Sequence, residues 1–140
     1  MTRKVLVLDR QMATRRMLCF AMELQGFQVA EAEDVPGALK AAASRGTVDL
    51  LVIGLNAPDD DNAGAIDQVR RVLGLGELPI LLVGEKRFAT HRDLRELGFC
   101  AWLNKPFRLA EIHELAERLL GDTPFAASPA AAMADGGRHA

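Results

Sequence analysis

Three short stretches of the chain are apolar at almost every position: Val5–Leu8, Leu50–Ile53 and Leu78–Val83. Runs of this length with no polar face read as strands covered on both sides, as the central strands of a parallel sheet are. The first run stops at Asp9-Arg10. The second ends at Gly54, followed by Leu55-Asn56-Ala57-Pro58 and the acidic Asp59-Asp60-Asp61, and the third ends at Gly84. Phe27–Ala30 alternates and predicts a brief strand, and Ala101–Leu103 predicts a short last one.

Between these runs the period changes to that of a helix. From Met12 to Gln25 the residues Met17, Leu18, Ala21 and Met22 are expected to face inward, with Gly26 as the stop. Asp34 ahead of Val35-Pro36 is a cap followed by proline in the first turn, and good helix formers continue to Arg45-Gly46. Ile66, Val69 and Leu73 mark another helix ending at Gly74. Thr90–Leu97 marks a short charged one, and Leu109, Ile112, Leu115, Ala116 and Leu119 mark a last one closed by Gly121. Five strands alternating with five helices predict an α/β fold, a doubly wound five-stranded parallel sheet with helices on both faces.

Composition adds limits. The 140 residues fit one domain, here 1–121, and 122–140 reads as a flexible tail rich in Ala, Pro and Gly. With 49% apolar and 26% charged residues, the chain has an ordinary globular composition, and a net charge of −2 offers no electrostatic footprint for nucleic acid. No apolar run approaches the roughly 20 residues that span a bilayer, and the amino terminus lacks a signal-peptide core, so a cytoplasmic protein with no membrane contact is expected. Cys19 and Cys100 lack metal-ligand spacing and read as reduced thiols, and His91, His113 and His139 are scattered.

Sites in open α/β sheets lie at the carboxyl ends of the strands. There this sequence sets Asp9-Arg10, Gly54, Gly84 and Lys105-Pro106. With Gly26-Phe27, Ala32-Glu33-Asp34, Asp49, Pro58 and Lys105-Pro106-Phe107 in register from about Lys4 to Leu120, the chain resembles the receiver domain of bacterial two-component response regulators, a flavodoxin-like (βα)5 fold. The resemblance implies a pocket in which two carboxylates after strand one and an aspartate ending strand three bind Mg²⁺. It also implies that this aspartate accepts a phosphoryl group from a histidine kinase. Carried over, the carboxylate pair falls on Asp9 and Arg10, the phosphoacceptor on Gly54, and a metal-holding backbone carbonyl on Asn56. The hydroxyl residue falls on Gly84, the lysine on Lys105, and the switch aromatic on Trp102.

A Mg²⁺ site draws on oxygen ligands, usually with one or two carboxylates. Here one carboxylate remains beside a fixed cation, and Arg10 is expected to occupy the cavity and pair with Asp9. No cofactor and no metal is expected, and no enzymatic activity. Lys105 with Asp9 reads as an ion pair left from an ancestral pocket, and Asp59–Asp61 as a solvated surface run. On the first helix Cys19, Phe20 and Leu24 form either an exposed apolar patch for a partner or part of a wide buried stripe. Arg87, Arg92 and Arg95 read as a charged face able to meet Glu111, Glu114 or Glu117 of a second copy in a homodimer, although solvated surface charge is the plainer reading.

The expectation is therefore an atypical single-domain response regulator, a pseudo-receiver that is not phosphorylated at the usual site. It would act by phosphorylation-independent contact with protein partners such as a histidine kinase or another signalling protein. One alternative is an unconventionally phosphorylated regulator using Asp9 or one of Asp59–Asp61. Another is a small-anion or nucleotide module using Lys105 and the vacated pocket, which no Gly-rich phosphate loop supports. A DNA-binding output is disfavoured, since no second domain follows and the tail is not basic.

Overall fold

The computed structural model describes residues 3–55, 71, 78–85 and 100–121, with the side chains of Arg45 and Cys100 left aside. The three apolar runs form β1 (Lys4–Leu8), β3 (Leu50–Gly54) and β4 (Ile80–Gly84), the last two buried at every position. The weaker runs form β2 (Gln28–Ala32) and β5 (Cys100–Asn104), both somewhat further along or longer than the sequence pattern suggests. Among the described residues the helices are α1 (Met12–Leu24), α2 (Val35–Arg45) and α3 (Leu109–Leu120). The helices expected over 66–73 and 90–97, and the tail from 122 onward, lie outside the described residues.

All five strands pair in parallel, in the order β2-β1-β3-β4-β5. The chain passes from β1 outward to β2 and then returns to the other side of β1 as β3, so the connections diverge between β1 and β3. Their carboxyl ends open a crevice at that point. Asp49 ties the opposite edge: its carboxylate accepts the Lys4 N–H at 2.8 Å while its own N–H donates to Lys4 O.

Alternation along the strands supplies two cores, one on each face. Val5, Val7, Leu50, Val52, Leu81 and Val83 pack against Leu18, Cys19 and Met22 of α1 and against Ile112, Leu115 and Leu119 of α3. Leu6, Leu8, Leu51, Ile53, Ile80 and Leu82 pack against Ala38 and Ala42 of α2, with Trp102 among them. The small alanines let α2 lie close to the sheet. Asp34 starts that helix, its carboxylate accepting the Gly37 N–H at 2.8 Å, and Glu111 closes the first turn of α3 by accepting the Arg108 N–H at 2.7 Å.

On α1 the inward face differs from the expected one. Leu18, Cys19, Ala21 and Met22 are buried, whereas Met17 is 48% exposed. Cys19 is therefore a core residue and not part of an exposed patch, while Phe20 (61%) and Leu24 (52%) do stand in solvent. The physical reason is that α1 is apolar on two nearly opposite sides, so periodicity alone does not select which side meets the sheet. Burial, with Glu31 and Glu23 adding negative charge nearby, pushes the Cys19 thiol up to about 12.

Candidate functional site

The sheet register determines what meets at the crevice. Leu8 lies opposite Ile53, so one further step sets Asp9 opposite Gly54. Asp9 is 1% exposed, the one buried charged residue among those described. Its Oδ1 accepts the Gln11 N–H at 2.9 Å, which holds the carboxylate at the start of α1, where the helix presents unsatisfied N–H groups and the positive end of its dipole. Its backbone is fixed as well: the N–H donates to Ala32 O at 3.0 Å, and its carbonyl accepts from Arg15 Nη1 at 3.0 Å. Arg15 also meets Glu31 Oε1 at 2.8 Å, so one guanidinium joins the ends of β1 and β2.

The other oxygen of Asp9 turns toward β3. A β-carbon built on Gly54 would collide with Asp9 Oδ2 and would lie 2.6 Å from Asp9 Cγ, closer than real β-carbons approach any atom. The Asp9 carboxylate thus takes the volume in which a side chain at position 54 would begin. Glycine at 54 is the residue that this placement admits.

A second glycine is approached closely, though without the overlap seen at Gly54. A β-carbon on Gly84 would lie 3.1 Å from Leu55 Cβ, 3.2 Å from Leu55 O and 3.2 Å from Trp102 Cη2. Trp102 is directed inward, 8% exposed, and packs in the core on the α2 side. Its indole N–H donates to Asn104 Oδ1 at 2.6 Å, which satisfies the one polar group that burial would otherwise strand. The ladder continues past the strands, Leu55 N–H donating to Val83 O and Lys105 N–H to Gly84 O, both at 2.8 Å. Lys105 is half-buried at this edge and joined to Pro106 by a cis peptide bond.

Arg10 does not fill the cavity. It is exposed and makes no ion pair among the described residues, so the space over Gly54 is taken by the Asp9 carboxylate and not by the adjacent cation. Among the described residues no three His, Cys, Asp or Glu side chains converge, and one oxygen of the Asp9 carboxylate accepts the Gln11 N–H. Of the residues singled out from the sequence, the structure sets Asp9 against Gly54 and Trp102 against Gly84, with Lys105 bonded to Gly84 through the backbone. Asn56, Asp59–Asp61, Arg87, Arg92, Arg95, His91 and His139 lie outside the described residues. Arg15 and Asn104, which anchor Asp9 and Trp102, were not singled out from the sequence, since a basic residue on a helix and an amide at a strand end carry no distinguishing pattern.

No family model matches the chain. It is 29% identical to the KDP operon transcriptional regulatory protein KdpE of Escherichia coli over 109 residues, 77% of this chain and 47% of that protein. It is also 29% identical to the phosphate regulon transcriptional regulatory protein PhoB of Escherichia coli over 115 residues, 80% of this chain and 49% of that protein. The chain spans about half the length of these relatives. Among solved structures it resembles the chemotaxis protein CheY4 of Vibrio cholerae, with a TM-score of 0.72 and 24% identity, covering 86% of this chain and all of that one. No helix among the described residues is long and apolar enough to cross a membrane. The sheet order and these likenesses together support a CheY-like fold of the response-regulator receiver type, with Asp9, Gly54 and Lys105 at its carboxyl edge.

Proposed function

We propose that this receiver domain is a pseudo-receiver: it holds one conformation without phosphorylation and signals by contact with other proteins, not as an enzyme. The observation that carries the proposal is the position of the Asp9 carboxylate over Gly54, because it leaves neither a nucleophile at the end of β3 nor room for one. In this reading Asp9 is the remaining member of a former acid pair, Arg10 stands where its neighbour would be, and Asn56 and Lys105 are remnants of the pocket. The inward Trp102 lies 3.2 Å from where a β-carbon at position 84 would start, which supports a switch held in one position. Residues 1–121 form the signalling unit, with a histidine kinase or another signalling protein as partner, and neither nucleic acid nor membrane takes part.

Two other readings are weaker on specific grounds. Asp9 as a substitute phosphoacceptor is disfavoured by its burial, since a phosphodonor must reach the attacking oxygen in line. A small-anion site is disfavoured because the carboxylate of Asp9 already lies where the anion would sit, and like charges repel. Intact-mass measurement after incubation with Mg²⁺ and a small phosphodonor tests the proposal. The mass is expected to stay unchanged, and the gain of a phosphoryl group on any residue would overturn it.

A further inference from the structure

All the exposed large apolar residues among those described lie on α1 or at the start of α3: Met12, Met17, Phe20, Leu24 and Leu109. On α1, the exposed Ala13, Met17, Phe20 and Leu24 are spaced four, three and four apart, the a and d positions of a heptad. This seam lies nearly opposite the face that packs on the sheet, so it plays no part in the domain's own core. The neighbouring helix extends it. His113 Nε2 lies 2.9 Å from Ala21 O, and Gln25 Nε2 donates to Glu117 Oε2 at 3.0 Å, so α1 and α3 run parallel in four-residue steps. One step back sets Leu109, 44% exposed, level with Met17.

The charges beside the seam indicate what covers it. Arg16, whose side chain is 71% exposed and whose guanidinium lies 3.6 Å from Glu31 of its own chain, and the exposed Glu23 occupy the g positions seven residues apart. Two α1 helices packed antiparallel, with Met17 against Phe20 of the second copy and Ala13 against its Leu24, bring Arg16 of each copy beside Glu23 of the other. Opposite charges then meet twice about one twofold axis. Shifting the pair by one heptad sets Glu23 against Glu23 and loses both attractions, so the charges select one register as well as one partner. We infer that α1 is a homodimer interface, its seam covered by the same seam of a second copy in antiparallel register.

This inference rests on the reading of the domain as an interaction module and names its partner as the chain itself. One helix pair lies at the small end of specific interfaces, roughly 1,000 Å² in total, so the association is expected to depend on concentration within the range of a sedimentation experiment. It also extends the two-sided apolar character of α1 to a use for each side: one for the sheet, one for the copy.

Sedimentation equilibrium of the full chain over a wide concentration range is the test, with circular dichroism to establish that each variant is folded. The wild type is expected to pass from monomer to dimer. Phe20→Glu, at an exposed position, is expected to weaken association by about tenfold or more. Arg16→Glu and Glu23→Arg should each weaken self-association. The two single variants mixed should associate with each other, because an acidic seam then meets a basic one, and the double swap Arg16→Glu with Glu23→Arg should restore the dimer. A folded wild-type chain that stays monomeric throughout, a dimer indifferent to Phe20→Glu, or mixed variants that fail to associate would overturn the inference. The phosphodonor experiment is unaffected by any of these results, so failure of the interface and failure of the pocket reading are separately visible.

Discussion

The carboxylate of Asp9 stands where the β-carbon of any side chain at position 54 would have to be, with Asp9 Cγ 2.6 Å from that point. The two residues are cross-strand neighbours by register, and the acid is held from the other side by the Gln11 N–H. An acid at 54 and this rotamer of Asp9 therefore exclude each other, which ties the glycine at 54 to the posture of Asp9.

Gly54→Ala is expected to cost about 1–3 kcal/mol, since the added methyl must displace a carboxylate anchored in a packed interior. Asp9→Ala loses the bond to the Gln11 N–H and is also destabilising. The double variant is expected to cost clearly less than the sum, because with Asp9 shortened the methyl at 54 has space. Urea denaturation of the four proteins gives the coupling, and strict additivity would mean that the two residues do not share that volume.

Trp102 is the single tryptophan, so the fluorescence comes from the one ring that packs against Gly84. Gly84→Ser places a β-carbon about as close to the ring and to Leu55 as packed atoms allow, and the added hydroxyl goes beyond it. The expected outcome is a red-shifted emission as the indole moves outward, with a loss of stability of about 1–3 kcal/mol. An unchanged spectrum would show that the ring does not depend on the glycine.

The Cys19 thiol, held near 12 by burial, is expected to resist thiol reagents in the folded protein between pH 7 and 9 and to react once the chain unfolds. The effect on stability has a definite sign. Its ordinary value is 9.0, so above that pH the unfolded chain loses the proton first and the folded state binds more protons. Stability from this group is fully present below pH 9 and falls as the pH rises toward 12. Urea midpoints at pH 8 and pH 10 should drop further for the wild type than for Cys19→Ala; an equal drop would assign the pH effect to other groups.

Asp34→Ala removes the oxygen that accepts the Gly37 N–H at the start of α2 and is expected to cost about 1 kcal/mol, measured by the same urea titration. A neutral substitution would place the start of that helix under the control of Pro36 and tertiary packing instead.

The fold was legible in the sequence wherever a single pattern determined it. β1, β3 and β4 announce themselves as apolar on both faces, and Asp34-Val35-Pro36 announces the start of α2. The crevice was legible as a list of residues, because strand ends can be counted: Asp9, Gly54, Gly84 and Lys105 all fall at the carboxyl edge. What was not legible is orientation. Nothing in the order of residues says that Asp9 turns toward β3 while Arg10 turns to solvent, or that the Trp102 ring lies inward over Gly84. The same limit applies to α1, where Cys19 and Met17 exchanged their expected places because the helix has two apolar faces and only packing against the sheet selects one.

A pseudo-receiver with Asp9 over Gly54 and Trp102 against Gly84 is not expected to respond to the ligands of a phosphorylation pocket. The most direct measurement is a titration of the isotope-labelled full chain with Mg²⁺ and beryllofluoride, a phosphoryl mimic, following the amide resonances of Asp9, Gly54 and Gly84 and the Trp102 indole N–H. The expected result is no saturable shift at any of these positions. Saturable shifts at Gly54 and Gly84, with movement of the indole resonance, would contradict the account.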